Sequence, residues 1–222
     1  MIIGIGVTTF QRPELLKKCL DSIREFTENE YVLYVATDSL EDRRGIALRK
    51  NECLFHLQNC DFVFLFDDDC YPIKKGWDNF VIDAHNKSGN HHFCYLIDRI
   101  HTAKNFYFFG DQTINSFVTC GGVFLSLTKK AIQKVGGFWD KYNLYGFEHY
   151  GYSFRVFKAK MNTDLFISIE GLNNYLYAHD YEDKNFQSTI DLATRIEMSE
   201  EGKKLFALDT EVIWKPIVYE KK

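Results

Sequence analysis

Three consecutive aspartates, Asp67, Asp68 and Asp69, follow an apolar run at residues 62–66. Such a run predicts a buried β-strand, so the three carboxylates are expected together at its end, where neighbouring negative charges raise one another's pKa values. A divalent cation removes that repulsion, and carboxylate oxygens suit Mg²⁺ or Mn²⁺. The pattern therefore favours a metal site at Asp67 and Asp69 over a solvated acidic turn, with open coordination positions for a phosphate-bearing substrate.

Two other predicted strands also end in polar residues. Residues 2–7 indicate a strand followed by Thr8 and Thr9, and residues 31–36 indicate a strand followed by Asp38. A helix beginning at Pro13 and a second one over residues 45–57 separate the three strands. This β-α-β-α-β order predicts an α/β fold whose mostly parallel central sheet has helices on both faces. Ligands of such sheets bind beyond the carboxyl ends of the strands, where these polar residues are expected to meet.

The second half of the chain is less regular. The pattern predicts strands at residues 93–97, 106–109, 117–127 and 165–169, and helices at 128–135, 148–160 and 188–207. Gly121 and Gly122 interrupt the third of these strands, either to let the backbone approach a donor sugar or to form a β-bulge. Because no repeat or Gly/Ser linker divides the 222 residues, we expect a single domain.

Composition narrows the function classes. A formal net charge of −4 gives no reason to expect binding of nucleic acid, because proteins that bind it usually have a basic patch. No apolar run approaches the ~20 residues of a membrane-spanning helix, and the N-terminus lacks the features of a secretory signal. None of the six cysteines forms a CxxC pair, so they are expected to be buried apolar residues in a reducing compartment. We expect a cytoplasmic protein, at most peripheral to a membrane, which could be one module of a longer chain.

Four segments in order resemble motifs of the GT-A fold glycosyltransferases, especially family 2. The segment GIGVTTFQRP at 4–13 resembles the opening strand and nucleotide-binding turn of that family, and Gly45 with Lys50-Asn51 resembles its "G…RN" helix segment. The acids at 67–69 resemble the DXD motif. GGF at 136–138, GFEH at 146–149 and Arg155 together resemble the "GGF…GED…R" segment. Lys50 stands where the family usually has arginine. The resemblance extends from the start of the chain to about residue 160.

The resemblance implies roles for the donor-binding residues. Asp38 would bind the base, and because a carboxylate only accepts hydrogen bonds, it favours the N3–H of uracil or thymine. The donor would then be a UDP- or dTDP-sugar. Phe10 would lie beside the base, Thr8 and Thr9 would contact the nucleotide through backbone or hydroxyl groups, and Arg12 or Lys50 would lie near the diphosphate. Asp67 and Asp69 would bind Mn²⁺ or Mg²⁺ and the ribose, with Asp68 between them. His179 would be a further metal ligand. For Lys50 packing and solvation are an equally good interpretation.

The chain departs from the family pattern at Glu148-His149. Inverting relatives place Asp second in this pair as the base, and this chain has His149, whose unperturbed pKa of ~6.5 suits a base at neutral pH. Glu148 is the alternative base, or positions the acceptor. A weakened or inactive relative is the other interpretation of His149. Gly121, Gly122, Trp139 and Arg155 are assigned to the donor sugar and acceptor, although an aromatic such as Trp139 more often packs in a core.

These features together predict a metal-dependent glycosyltransferase that moves a sugar to a hydroxyl acceptor with inversion. Residues 1–110 would form the nucleotide-binding half, and residues 111–222 the acceptor and catalytic half. One alternative is a phosphohydrolase of the HAD type using Asp67 and Asp69, although Cys70 stands where Thr or Val is usual and the motif follows the third strand. The other is a module that binds nucleotide-sugars without turnover.

Overall fold

The computed structural model describes residues 1–142, 144–186 and 188–209. Its first part consists of strand β1 (Ile3–Phe10), helix α1 (Pro13–Phe26), strand β2 (Tyr31–Asp38), helix α2 (Ile46–Leu57) and strand β3 (Phe62–Asp67). These are the five elements that the sequence predicts. Each strand extends further toward its carboxyl end than predicted and includes the polar residues there, because the backbone pairing between the strands continues through them.

The remaining elements follow in chain order. They are β4 (Cys70–Pro72), α3 (Trp77–Ser88), β5 (His92–Cys94), α4 (Asp98–His101), β6 (Ala103–Phe109), β7 (Gln112–Phe117), β8 (Phe124–Thr128), α5 (Lys129–Val135), α6 (Glu148–Lys158), β9 (Ile167–Ile169), β10 (Leu176–Ala178), α7 (His179–Glu182) and α8 (Leu192–Asp209). The single strand predicted at 117–127 is wrong. Strand β7 ends at Phe117 and β8 begins at Phe124, and the two strands belong to different sheets. The segment that connects them lies at the edge of the central sheet where the first three strands end.

The central sheet has five strands in the order β2-β1-β3-β8-β5. Strand β1 is parallel to both β2 and β3, whereas β8 is antiparallel to both of its neighbours, β3 and β5. Four strands therefore share one direction, which confirms the predicted mostly parallel sheet. A three-stranded sheet, β6-β7-β9, and a two-stranded sheet, β10-β4, lie beside it.

Helices cover both faces of the central sheet because side chains alternate along its apolar strands. On one face Phe64 and Phe66 pack with α1 and α3, and their rings lie 5.0 and 5.4 Å from that of Trp77. On the other face Val63 and Leu65 pack with α2, α5 and α6. All six cysteines are buried, as predicted, and each is a free thiol. Within the described ranges, no helix combines the length and apolar character needed to cross a membrane.

Candidate active site

The carboxyl ends of β1, β2 and β3 bring the predicted polar residues to one edge of the sheet. In the strand register Thr8 pairs with Asp67, and Phe10 pairs with Asp38. The Thr8 hydroxyl donates a hydrogen bond to Asp67 Oδ1 at 2.8 Å, and the neighbouring Thr9 hydroxyl donates to an acid of the same trio at 2.6 Å. Parallel pairing thus assembles the site from three segments that are distant in sequence.

A pocket of about 310 Å³ opens at this edge, within the size range of small-molecule sites. The predicted residues that line it are Thr8, Thr9, Phe10, Arg12, Asp38, Asp67, Asp69, Gly121, Gly122, Glu148 and His149. The predicted residues that do not line it are Lys50, Asp68, Trp139, Arg155 and His179. Both halves of the chain therefore contribute to one cavity.

The acidic trio is held by Arg12. Asp68 is fully buried and Asp69 nearly so, and the Arg12 guanidinium pairs with both, at 2.8 Å from Asp69 Oδ2. Burial raises the pKa of Asp69 to about 7; Arg12 opposes this shift, and the charges of Asp67 and Asp68 add to it. The site thus holds more negative charge than the single guanidinium balances.

The acids fit a divalent cation only in part. Asp69 Oδ1 is buried and has no hydrogen-bond partner among the described residues, and such an oxygen is a suitable cation ligand. Within the described ranges, however, no three His, Cys, Asp or Glu side chains form a ready-made metal site. Asp67 and Asp69 both face the pocket, so a cation here would complete its coordination with oxygens of a bound ligand.

His179 lies beside the trio, but its ring does not face the pocket. Its backbone N–H donates to the carbonyl oxygen of Asp69 at 3.0 Å, because β10 pairs with β4. The imidazole has other partners: Nε2 is 3.2 Å from the Tyr71 hydroxyl and Nδ1 is 3.8 Å from Asp183 Oδ2. The backbone of the predicted metal ligand is thus next to Asp69, whereas its imidazole ring points toward Tyr71 and Asp183.

At another end of the pocket, Asp38 organises the loop between β2 and α2. Its Oδ1 accepts from the backbone N–H of Arg44 at 2.8 Å and from Arg49 Nε at 3.1 Å, and its Oδ2 accepts from the N–H of Gly45 at 3.1 Å. Arg43 Nε lies 3.6 Å from Oδ2, too far for a hydrogen bond, so this oxygen, which can accept two hydrogen bonds, retains the capacity for one more. The Arg43 guanidinium lies over the Phe10 ring, 3.5 Å from its centroid, and forms a flat surface next to this oxygen.

Glu148 and His149 form a hydrogen-bonded pair at the first residues of α6. Glu148 is buried, and its Oε1 accepts from Lys50 Nζ and from His149 Nδ1, both at 3.1 Å. Burial alone would raise the pKa of Glu148, but the charges of Lys50 and His149 hold it well below its ordinary value. Because the ionised carboxylate can only accept, His149 Nδ1 carries the proton of this bond, which in the neutral imidazole leaves a lone pair on Nε2.

The two glycines before β8 lie against the side chains of Tyr181 and His149, which occupy the space that a Cβ would need. A Cβ on Gly122 would lie 2.8 Å from His149 Nδ1, and a Cβ on Gly121 would collide with the hydroxyl of Tyr181. Glycine at 122 is therefore required for the position of the His149 ring against the backbone. Gly121 and Gly122 also line the pocket, so close approach of their backbone to a ligand stays a prediction.

Two predicted sugar contacts lie outside the pocket: Arg155, which is buried, and Trp139, which is half-buried. Arg155 is buried, pairs with Asp209 Oδ1 at 2.7 Å and donates to the carbonyl of Gly137, so it links α6 to the end of α8. Trp139 packs edge-on against Tyr142, with 5.9 Å between ring centroids. Arg155 therefore contributes to the packing of α6 with α8, and Trp139 packs at the edge of the core, close to the packing role that the sequence favoured for it.

Several pocket residues were not predicted. They are Arg43, Arg49, His101, Tyr145, Asp180, Tyr181, Phe186 and Arg195, with neighbouring small and apolar residues. Arg195 Nη2 donates to the Tyr145 hydroxyl at 2.7 Å and lies 3.6 Å from Asp180 Oδ2. The prediction of His179 as a metal ligand pointed to the segment beside Asp180 and Tyr181, whereas the position of α8 over the pocket is not visible in local patterns.

No protein-family model matches the sequence. An uncharacterized glycosyltransferase of Acanthamoeba polyphaga mimivirus is 27% identical over 213 residues, which cover 80% of this chain and 81% of that protein. This likeness spans most of both chains.

Solved structures share the fold at low identity. Residues 1–349 of Staphylococcus aureus TarS superpose with a TM-score of 0.62 at 13% identity, over 94% of this chain but only 65% of that fragment. The catalytic domain of Drosophila β1,4-galactosyltransferase 7, in complex with xylobiose, gives a TM-score of 0.56 at 13% identity over 97% of this chain and 82% of that domain. A mutant of the same enzyme in complex with manganese, UDP-Gal and xylobiose gives 0.53 at 14% identity, over 86% of this chain and 77% of that one.

The chain thus has the fold of the GT-A glycosyltransferases and is similar over most of its length to a protein named as a glycosyltransferase, which confirms the resemblance carried by its motifs. The HAD-type alternative has no support from these comparisons.

Proposed function

We propose that the chain transfers a sugar from a UDP- or dTDP-sugar to a hydroxyl acceptor, with inversion and with the help of a divalent cation. The observation that carries the proposal is a single pocket lined by the acids Asp67 and Asp69 and by the pair Glu148-His149. A charged diphosphate and a nucleophilic hydroxyl must meet in such a reaction, and the pocket contains a group suited to each.

The base of the donor is assigned to the end of the pocket near Asp38. The remaining acceptor capacity of Asp38 Oδ2 suits the N3–H of a pyrimidine, and the Arg43 guanidinium over Phe10 offers a stacking surface. This supports the predicted division in which residues 1–110 bind the nucleotide and residues 111–222 bind the acceptor. Guanine also offers an N–H donor to a carboxylate, but its N1–H lies farther from the ribose than the N3–H of uracil or thymine, so we expect weaker binding of GDP-sugars.

Asp69, with Asp67, would hold the metal ion. The unpartnered buried Oδ1 of Asp69 supports this assignment, and manganese accompanies UDP-Gal in the galactosyltransferase structure. A bound Mn²⁺ or Mg²⁺ supplies positive charge that stabilises the departing nucleotide diphosphate. Arg12, already paired with Asp69, lines the pocket and adds positive charge on the same side.

His149 is the proposed base. Its Nε2 has a free lone pair, and its ring lines the pocket. Glu148 is a poor base because its carboxylate is already paired with Lys50, so we assign it the role of orienting the imidazole. His149 Nε2 takes the proton of the acceptor hydroxyl as that oxygen attacks the anomeric carbon opposite the departing diphosphate, and this geometry inverts the configuration.

The test is release of nucleotide diphosphate from a panel of UDP-glucose, UDP-galactose, UDP-GlcNAc, dTDP-glucose and GDP-mannose, each with and without Mn²⁺. We expect slow metal-dependent hydrolysis of at least one pyrimidine donor with water as acceptor, and faster release when a suitable glycan is added. Metal-independent release would refute the metal assignment. UDP binding without release of product in any acceptor mixture would instead support the module that only binds nucleotide-sugars.

A further inference from the structure

Lys50 is a fully buried lysine behind the wall of the pocket. Its Nζ donates to the carbonyl of Gly122 at 2.9 Å and to Glu148 Oε1 at 3.1 Å, and lies 3.6 Å from Asp67 Oδ1. Burying an ammonium group is costly unless acceptors replace its water. Here three acceptors surround it, and each comes from a different part of the chain.

The three partners of Lys50 all line the pocket, although Lys50 does not. Asp67 ends β3, Gly122 precedes β8, and Glu148 begins α6, whereas Lys50 belongs to α2. One charge from a helix on the face of the sheet thus joins the strand that bears the acids to the helix that bears the base. This arrangement differs from the contact with the diphosphate that the sequence suggested for Lys50, because Lys50 does not line the pocket.

The same partners also fix the ring of His149. Nδ1 of His149 bonds to Glu148 Oε1, the oxygen that Lys50 holds, and the ring packs against Gly122, whose carbonyl Lys50 also holds. Both constraints on the imidazole are therefore anchored at one ammonium group. Removing that group would leave Glu148 with a buried, unbalanced charge and would free the backbone at Gly122.

We propose that Lys50 is a positioning residue, which sets the orientation of His149 relative to Asp67 without touching the substrate. The effect of Lys50 on the rate of catalysis rests on the proposed function, in which His149 is the base. The effect of Lys50 on the orientation of the His149 ring is independent of the proposed function. A displacement of about 1 Å at a reacting group can cost on the order of 100-fold in rate, so the expected loss falls on kcat.

The kinetic test compares Lys50→Met, Lys50→Gln and Lys50→Arg with the wild-type protein. We expect Lys50→Met to lower kcat by about 10- to 100-fold with little change in KM for the donor, and Lys50→Arg to restore part of the loss because it keeps the charge. The control is Asp78→Asn, a fully buried carboxylate in α3 that accepts from the backbone of Glu28 and Asn29, away from the pocket. This control should lower stability and leave the kinetics of the folded protein unchanged.

The spectroscopic test needs no turnover. The ¹⁵N shifts of the His149 ring, assigned with His149→Gln, should show a protonated Nδ1 and a bare Nε2 in the wild-type protein, and a mixture of tautomers in Lys50→Met. If Lys50→Met does not fold, Lys50→Gln, whose amide NH2 still donates hydrogen bonds, serves for both measurements. An unchanged tautomer together with an unchanged kcat in the folded variants overturns the proposal. A changed tautomer in a protein that turns over no donor would uphold the role of Lys50 and reject the proposed function.

Discussion

His149 Nδ1 lies 3.1 Å from Glu148 Oε1, so the residue next to His149 in the chain is also its hydrogen-bond acceptor. Adjacent residues of a helix do not usually face each other. The pair forms at the first turn, after Gly146 and Phe147, both of which have positive φ, of 90° and 67°. The entry into α6 thus directs both side chains toward the same part of the pocket.

Replacing His149 with Ala should lower kcat by about 100- to 10,000-fold, because loss of a general base removes that much rate in typical enzymes. The measurement is release of UDP from the best donor of the panel under saturating conditions. Glu148→Gln should cause a smaller loss, since it keeps the shape of the orienting group. A wild-type rate in His149→Ala would eliminate His149 as the base.

Replacing Asp69 with Asn should weaken binding of Mn²⁺ in the presence of UDP, because it removes the charge of the carboxylate whose Oδ1 lacks a partner. Calorimetric titration of Mn²⁺ into the protein with UDP measures this directly, and metal-dependent product release should be lost in parallel. The control is Asp140→Asn, at an exposed position. Equal affinity for Mn²⁺ in Asp69→Asn and wild type would contradict the assignment.

Replacing Arg43 with Ala should weaken binding of UDP by about 5-fold, since a stacked guanidinium contributes on the order of 1 kcal/mol. The neighbouring Arg44 provides a matched control, because its guanidinium pairs with Asp42 and it does not line the pocket. Titration of UDP into both variants is the measurement. Equal losses in Arg43→Ala and Arg44→Ala would show that general charge, rather than stacking, attracts the nucleotide.

The fold should lose stability in mild acid because of His85. Burial lowers the pKa of this histidine to about 3, and its neutral ring bonds to the carbonyl of Asn90 and to Ser126 Oγ. The unfolded chain, with a pKa of about 6.5, binds the proton first. The contribution is therefore complete above about pH 6.5, and the free energy of unfolding falls by up to about 1.4 kcal/mol per unit as the pH decreases toward 3.

Denaturant unfolding at several pH values measures this dependence. His85→Gln removes the titrating group, so it should be less stable than the wild type at pH 7, and the gap should narrow as the pH falls. A constant difference between the two proteins from pH 7 to pH 4 would show that His85 is not the group responsible.

The sequence by itself determined the first half of the fold and the chemistry of the site. Apolar runs bounded by polar residues mark β1 and β3 because these strands are buried on both faces, and β2, at the edge of the sheet, has a similar but partly exposed run. Residue types such as Asp38 and the acidic trio carry their chemistry wherever they lie. In the second half the strands are short, and β4, β7 and β10 are defined by their partners rather than by their own pattern. The helix α3 was missed although its apolar residues recur at helical spacing.

Only the tertiary structure decided which way side chains face and what they touch. Lys50 and Arg155 have the residue type of phosphate or sugar contacts, yet long-range pairing with Glu148 and Asp209 places both in the interior. His179 lies beside Asp69 through its backbone, while its ring turns to Tyr71. Spacing along the chain fixes local conformation, whereas the direction of a side chain depends on contacts with segments that are far apart in sequence, and these contacts exist only once the chain has folded.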